Sequence, residues 1–215
     1  MTNIQLNNLI HNGQNPYVNI NVDDFDVDLS SGIFVDFFID LSKVIRDGDT
    51  IIEVGTWEGA SAIGMGKILR DLGIKDFSLL CVDTWLGSSY TREGDYLSSL
   101  KIKDGYPQLF YHFLKNVKKS GLDKNIIPFP IQSFDAARFL KKHDVMAKVV
   151  YIDASHVYPD VYFDIKLYWD LLCPGGILCG DDYTWIDVKF SIERFSQEKN
   201  LQLQVFYDKY VLIKQ

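Results

Sequence analysis

No apolar run among the 215 residues approaches the roughly 20 that a membrane-spanning helix needs. The opening stretch, Met1-Thr2-Asn3-Ile4-Gln5, lacks the basic region followed by an apolar one that marks a secretory signal. Cysteine is scarce. Cys81, Cys173 and Cys179 show neither CxxC spacing nor an even count, so no disulfide framework is indicated. All three sit in or beside apolar runs and read as reduced core residues. These absences lead to the expectation of a soluble cytoplasmic protein. Positive charge is also in deficit: 22 Lys and Arg face 29 Asp and Glu, a net charge of −7. That disfavours a binder of nucleic-acid backbones, which needs a basic footprint. Lys115, Lys118, Lys119 and Lys124 cluster, as do Lys141 and Lys142, and both groups read as solvated helix faces. Internal repeats, low-complexity tracts and linkers are missing too.

What is present suits one α/β domain over residues 31–215. The chain is 47% hydrophobic and 14% aromatic, enough for a large core or an aromatic-lined pocket. Residues 1–30 are rich in Asn and Asp, weakly patterned, and read as a solvated arm or lid. Asp24, Asp26 and Asp28 alternate like the start of a calcium loop, but Leu29 and Val35 stand where that loop needs Gly and Glu. Ile33, Phe34, Phe37, Phe38, Leu41 and Val44 recur at helical spacing, with Ser30 or Ser31 as cap. Strands and helices then alternate: strands near 50–54, 77–82, 125–131, 148–152 and 177–180, and helices near 61–72, 107–119, 134–142, 158–172 and 186–199. Residues 84–106 are long, polar and irregular. Leu201–Tyr207 and Tyr210–Lys214, separated only by Asp208-Lys209, predict an antiparallel hairpin. Such alternation implies a Rossmann-like, doubly wound and mostly parallel sheet with helices on both faces. Its ligands belong at the carboxyl ends of the strands.

Two groups of residues carry chemistry at that rim. Glu53-Val54-Gly55-Thr56-Trp57-Glu58-Gly59-Ala60-Ser61 is a strand–turn–helix junction whose free amides suit an anionic group. Trp57 stands where the dinucleotide fingerprint needs its second glycine, which counts against NAD. An ordinary βα turn is the competing reading of these glycines. Asp83 ends the next strand, where a carboxylate accepts from ribose hydroxyls. The second group is Asp153 and His156 after the fourth strand, with Asp181 and Asp182 after the fifth. Three carboxylates at one place repel unless a cation or a proton joins them, and oxygen ligands suit a hard cation such as Mg²⁺.

The order Glu53-x-Gly55-x-x-x-Gly59, Asp83 and Pro174-Gly175-Gly176 before a strand resembles the class I S-adenosylmethionine-dependent methyltransferases. Val54-Gly55-Thr56-Trp57-Glu58-Gly59, Val82-Asp83-Thr84-Trp85, Ile152-Asp153-Ala154-Ser155-His156-x-Tyr158 and Gly180-Asp181-Asp182-Tyr183 resemble the macrocin O-methyltransferase and cephalosporin hydroxylase-like group. The resemblance spans about residues 48–215. It implies that Glu53 and Gly55 lie near the methionine end of the cofactor, with Thr56, Gly59 and Ser61 at the helix start as further cofactor contacts, that Asp83 binds ribose and that Ser133 lies near adenine. Trp85 either packs on the adenosine or belongs to the core.

The same resemblance implies a divalent cation, Mg²⁺ first, on Asp153, Asp181 and Asp182, with Asp153 and His156 as the catalytic pair. His156 would act as base, since an ordinary imidazole titrates near neutral pH. The implied reaction moves a methyl group to a hydroxyl of a small molecule, a sugar or a phenol. Tyr90, Tyr96, Tyr106, Tyr183 and Trp185 are candidates for lid or acceptor lining. Competing readings are a metal-independent methyltransferase of the same fold, a noncatalytic adenosyl-ligand binder and an NAD-dependent oxidoreductase. No Asn/Asp-Pro-Pro-aromatic tetrad follows the fourth strand, so a nucleic-acid acceptor is disfavoured. Dimerisation stays open.

Overall fold

Five short β-rich runs form parallel strands: β1 (Thr50–Val54), β2 (Ser78–Asp83), β3 (Ile126–Pro130), β4 (Ala147–Ile152) and β5 (Leu172–Gly180). A hairpin of β6 (Gln204–Phe206) and β7 (Lys209–Ile213) completes one seven-stranded sheet. The strand order is β3-β2-β1-β4-β5-β7-β6, and β7 runs antiparallel to both neighbours. The order reverses between β1 and β4, so the crevice for a ligand opens there. The computed structural model describes residues 1–29, 35–88, 90–92 and 94–215, with the backbone alone for residues 90 and 94–96. The expected caps Ser30 and Ser31, the helix positions Ile33 and Phe34, and the side chains of Tyr90 and Tyr96 lie outside the described residues.

Each strand feeds two cores because its side chains alternate. Ile52, Leu80, Val150 and Leu178 face α5 (Ser133–Lys142), α6 (Asp160–Trp169) and α7 (Ile186–Lys199). Ile51, Leu79, Val149 and Ile177 face α2 (Val35–Ser42), α3 (Ala60–Asp71) and α4 (Leu109–Lys119). Among the described residues no helix is long and apolar enough to cross a membrane.

Two expectations change. Pro174-Gly175-Gly176 does not precede β5 but lies within it. The register slips between Ala147↔Leu172 and Val149↔Ile177, so the triplet is a bulge. Gly175 keeps its pairing by donating to the Lys214 carbonyl at 2.8 Å.

Nor is the N-terminal segment a solvated arm. Its first helix, α1 (Asn3–His11), starts with a capping box between Thr2 and Gln5 and buries Leu6 completely. Tyr17 is buried and donates its hydroxyl to the Ile126 carbonyl at 3.0 Å. The chain to Asp28 is then strapped along α4. Lys118 donates to the Tyr17 and Ile20 carbonyls, Lys119 to that of Val22, and Lys115 lies over the Phe25 ring. Lys115, Lys118 and Lys119 of that cluster are thus a clamp of α4 for this strap.

Leu6→Ala should therefore cost about 2–5 kcal/mol of unfolding free energy in denaturant melts. Ile4→Ala, three-quarters exposed on the same helix, should stay within about 0.5 kcal/mol. Equal, small effects would mean that the first helix is detached from the core.

Candidate active site

The two-residue strand period sets the rim. Glu53, Cys81, Tyr151 and Cys179 pair laterally across β1, β2, β4 and β5. Their successors two positions on are Asp83, Asp153 and Asp181, which gather above the same face. Gly55, with φ +84, sits where any Cβ would overlap the carbonyl oxygen of Asp153, so glycine is what lets the two strand ends touch. Gly59, with φ +92, lies where a Cβ would come within 3.0 Å of the Phe113 ring of α4. Its smallness serves packing of the helix start.

At the turn, Asp83 is an organiser. Its Oδ2 accepts from the Thr56 and Trp57 amides at 2.9 Å each, and its Oδ1 from the Trp85 amide at 2.7 Å. A carboxylate has about four acceptor positions, and three of those on Asp83 are taken by these amides. Trp85 realises the core alternative: it is 1% exposed, lies against Phe110 and Phe113, and donates its indole N–H to the Trp57 carbonyl at 2.8 Å. Ser61 donates to Glu53. Ser133 turns its hydroxyl toward buried Asp164 and its carbonyl accepts from Tyr168 at 2.9 Å. The Thr56 hydroxyl is buried without a partner of hydrogen-bond geometry, and no side chain caps the start of α3. An orphaned hydroxyl beside an uncapped helix start fits the carboxylate of a methionine-type cofactor.

Glu58 of the turn is also held. Its carboxylate meets Lys101 at 3.4 Å and His112 at 3.7 Å, and both also reach Asp28 at 3.2 Å. Asn116 donates to the Asp28 carbonyl at 2.8 Å and to that of Glu58 at 3.0 Å. The N-terminal strap, the 84–106 segment and the glycine turn therefore meet at one ion cluster.

The reacting end brings three of the four expected groups together. His156 Nε2 lies 2.5 Å from Asp182 Oδ2 and 3.7 Å from Asp153 Oδ1. Donor atoms of this trio lie within 4.8 Å of one another. The buried His156 nitrogen is charge-paired with both carboxylates. Convergence of this kind fits a divalent cation. Asp153, desolvated and facing Asp181 and Asp182, is pushed up to about 6, with His156 opposing the rise. His156 is pushed up to about 10 by Asp153 first and Asp182 second. At neutral pH it is therefore an imidazolium in the cation-free protein, contrary to the expectation of an ordinary value. Trp185 flanks it, ring centroids 5.1 Å apart.

Asp181 groups instead with Asp182 and Asp208, whose carboxylate oxygens lie within 4.8 Å of its own. Lys209 forms an ion pair with it, and the Tyr151 hydroxyl donates to its Oδ2 at 3.2 Å. Asp208 accepts from the Tyr183 and Thr184 amides and so ties the rim loop to the hairpin tip. Sequence reading missed Tyr151, Asp208 and Lys209. The hairpin held the signal: continuing the register Ile177↔Ile213 and Gly180↔Tyr210 by one residue sets Lys209 opposite Asp181.

Glu53, 2% exposed, yields a pH test. Desolvation lifts it from 4.5 to about 8; the Ser61 hydroxyl opposes this and Asp153 adds to it. The folded value lies above the unfolded one. Its contribution to stability is thus full below pH 4.5 and lost as pH rises through about 8. Glu53→Gln keeps an acceptor for Ser61 and removes the titration. Its stability relative to wild type should rise across that window by up to about 1.4 kcal/mol per pH unit. A pH-independent difference would show that Glu53 is ionised in the fold.

Comparison with known proteins agrees with this architecture. Residues 52–183 match the family model of a methyltransferase domain. No curated protein sequence matches the chain. The O-methyltransferase NovP superposes with a TM-score of 0.63 at 16% identity, covering 84% of this chain and 78% of that one. The apo structure of CalS11, a TDP-rhamnose 3'-O-methyltransferase of calicheamicin biosynthesis, gives 0.58 at 13% identity, covering 83% and 76%. The Bacillus cereus O-methyltransferase in complex with S-adenosylhomocysteine gives 0.56 at 15% identity, covering 93% and 87%. At such identities the likeness is one of fold. The family match spans most of the sheet and ends just past Asp182, and on that ground the chain belongs to the methyltransferase-domain family, with the class I fold of S-adenosylmethionine-dependent methyltransferases.

Proposed function

We propose that this enzyme transfers the methyl group of S-adenosylmethionine to a hydroxyl of a small molecule, a sugar or a phenol, with His156 as base and a divalent cation at Asp153 and Asp182. The observation that carries the reading is the convergence of His156 on both carboxylates, beside the glycine turn that abuts Asp153. The net charge of −7 supports a small acceptor over a nucleic acid. O-methyl transfer by structural neighbours supports oxygen as the nucleophile.

The cofactor supplies a methyl carbon on a sulfonium, which is already a good leaving group. The protein's task is alignment and removal of the acceptor proton. The Thr56 hydroxyl and the start of α3 hold the carboxylate of the methionine end, and the free position on Asp83 orients the ribose. As the acceptor oxygen bonds to the methyl carbon, the carbon–sulfur bond breaks and the acceptor proton passes to His156. His156 can take that proton only once it has lost its own, and Asp153 and Asp182 hold it there. Asp153 and Asp182 would hold a divalent cation, whose charge would offset these carboxylates, polarise the acceptor hydroxyl and leave His156 free to act as base. Trp185 beside His156 gives a flat apolar wall for a sugar ring or a phenol.

A second reading, methyl transfer without a metal, is favoured by Lys209, whose ammonium already offsets Asp181. Calorimetric titration of metal-stripped protein with S-adenosylhomocysteine and then Mg²⁺ separates the two. Binding of both, with the Mg²⁺ response lost in Asp182→Ala, supports the cation. Nucleoside binding without an Mg²⁺ response leaves the second reading, and absence of nucleoside binding sinks both. Once an acceptor is found by screening, His156→Asn should lower kcat by about 10²–10⁴-fold. Affinity for S-adenosylhomocysteine should stay within about threefold, because His156 lies at the reacting end of the site. A parallel loss of nucleoside affinity would assign His156 to cofactor binding instead.

A further inference from the structure

Three aspartates at the ends of β4 and β5 were expected to share one cation. In the structure one of them, Asp181, has an ammonium partner of its own. Lys209, the first residue of β7, is 7% exposed and paired with Asp181. Its position follows from the antiparallel register with β5, which sets it opposite Asp181. A nearly buried ammonium is costly unless a carboxylate meets it. Asp181 accepts in addition from the Tyr151 hydroxyl at 3.2 Å and from the Asp182 amide at 2.8 Å. Three of its roughly four acceptor positions are thereby taken. Asp182, by contrast, has φ +57, a left-handed conformation that Asp tolerates in tight turns. Its Oδ2 meets His156, and a carboxylate oxygen of it also lies within 4.8 Å of Asp181 and Asp208.

We infer that Lys209 is a positioning residue that decides the donor set of this site: it withdraws Asp181 from cation binding, anchors the turn that aims Asp182, and leaves Asp153, Asp182 and His156 to face a divalent cation. The inference rests on the cation reading above. It adds a function for the hairpin. The ammonium of Lys209 does at Asp181 what a metal does at carboxylates, so the site holds its cation in a weaker negative field than three free aspartates would make.

The test is Mn²⁺ binding by the metal-stripped full chain, followed by calorimetry, with S-adenosylhomocysteine binding as the check of folding. Lys209→Met frees Asp181 and removes a positive charge, so Mn²⁺ should bind at least about tenfold tighter than to wild type. Lys209→Arg keeps the charge and should restore wild-type affinity within about threefold. The double variant Lys209→Met/Asp181→Asn removes the pair as a unit and keeps an acceptor for Tyr151. It should also bind Mn²⁺ within about threefold of wild type. Loss of Mn²⁺ binding in the double variant would make Asp181 a ligand and overturn the inference. Unchanged affinity in Lys209→Met would overturn it while leaving the cation reading intact. Mn²⁺ binding by Lys209→Met but not by wild type would show that the wild-type trio holds no cation and would overturn both the inference and the cation reading. No binding by any variant would end both.

Discussion

Negative charge at the carboxyl ends of β1, β4 and β5 is the constraint around which this molecule is arranged. Parallel strands with a two-residue period deliver Glu53, Asp153 and Asp181 to one face, and Asp182 follows directly. Such groups coexist only if each finds its own answer to repulsion and desolvation. Burial keeps Glu53 protonated at neutral pH. Asp181 is answered by an ammonium from the neighbouring strand, and Asp153 and Asp182 share an imidazolium.

The cofactor end depends on the same economy of hydrogen bonds. Asp83 holds the turn by three backbone amides, Trp85 braces it from the core, and Asn116 ties it to the N-terminal strap. Little of this turn is free to reorganise, which is the condition for donors to act on a ligand without first relaxing.

Most of the fold was legible because hydrophobic periodicity and the Gly, Pro and Asp punctuation agree. Strand β1 and helix α7 begin and end where their patterns do. Legibility failed where tertiary contacts outrank local pattern. Asn- and Asp-rich composition hid α1, although Thr2…Gln5 and the spacing of Leu6, Leu9 and Ile10 were there to be read. Pro174-Gly175-Gly176 looked like a terminator because a bulge and a turn use the same residues. At the site, residue types announced the carboxylates and His156. Whom each carboxylate would pair with depended on Lys209, which looked like a turn residue until the hairpin register placed it. His156 was misjudged in protonation for the same reason: its two partners come from different strands.

The hairpin also gives the site an order of assembly. Asp153, His156, Asp181 and Asp182 all leave the ribosome before Asp208 and Lys209 do. Until β7 docks along β5, Asp181 has no ammonium beside it and the rim loop lacks its tie to Asp208. The last hairpin of the chain thus completes the charge balance of a rim that the earlier strands lay down.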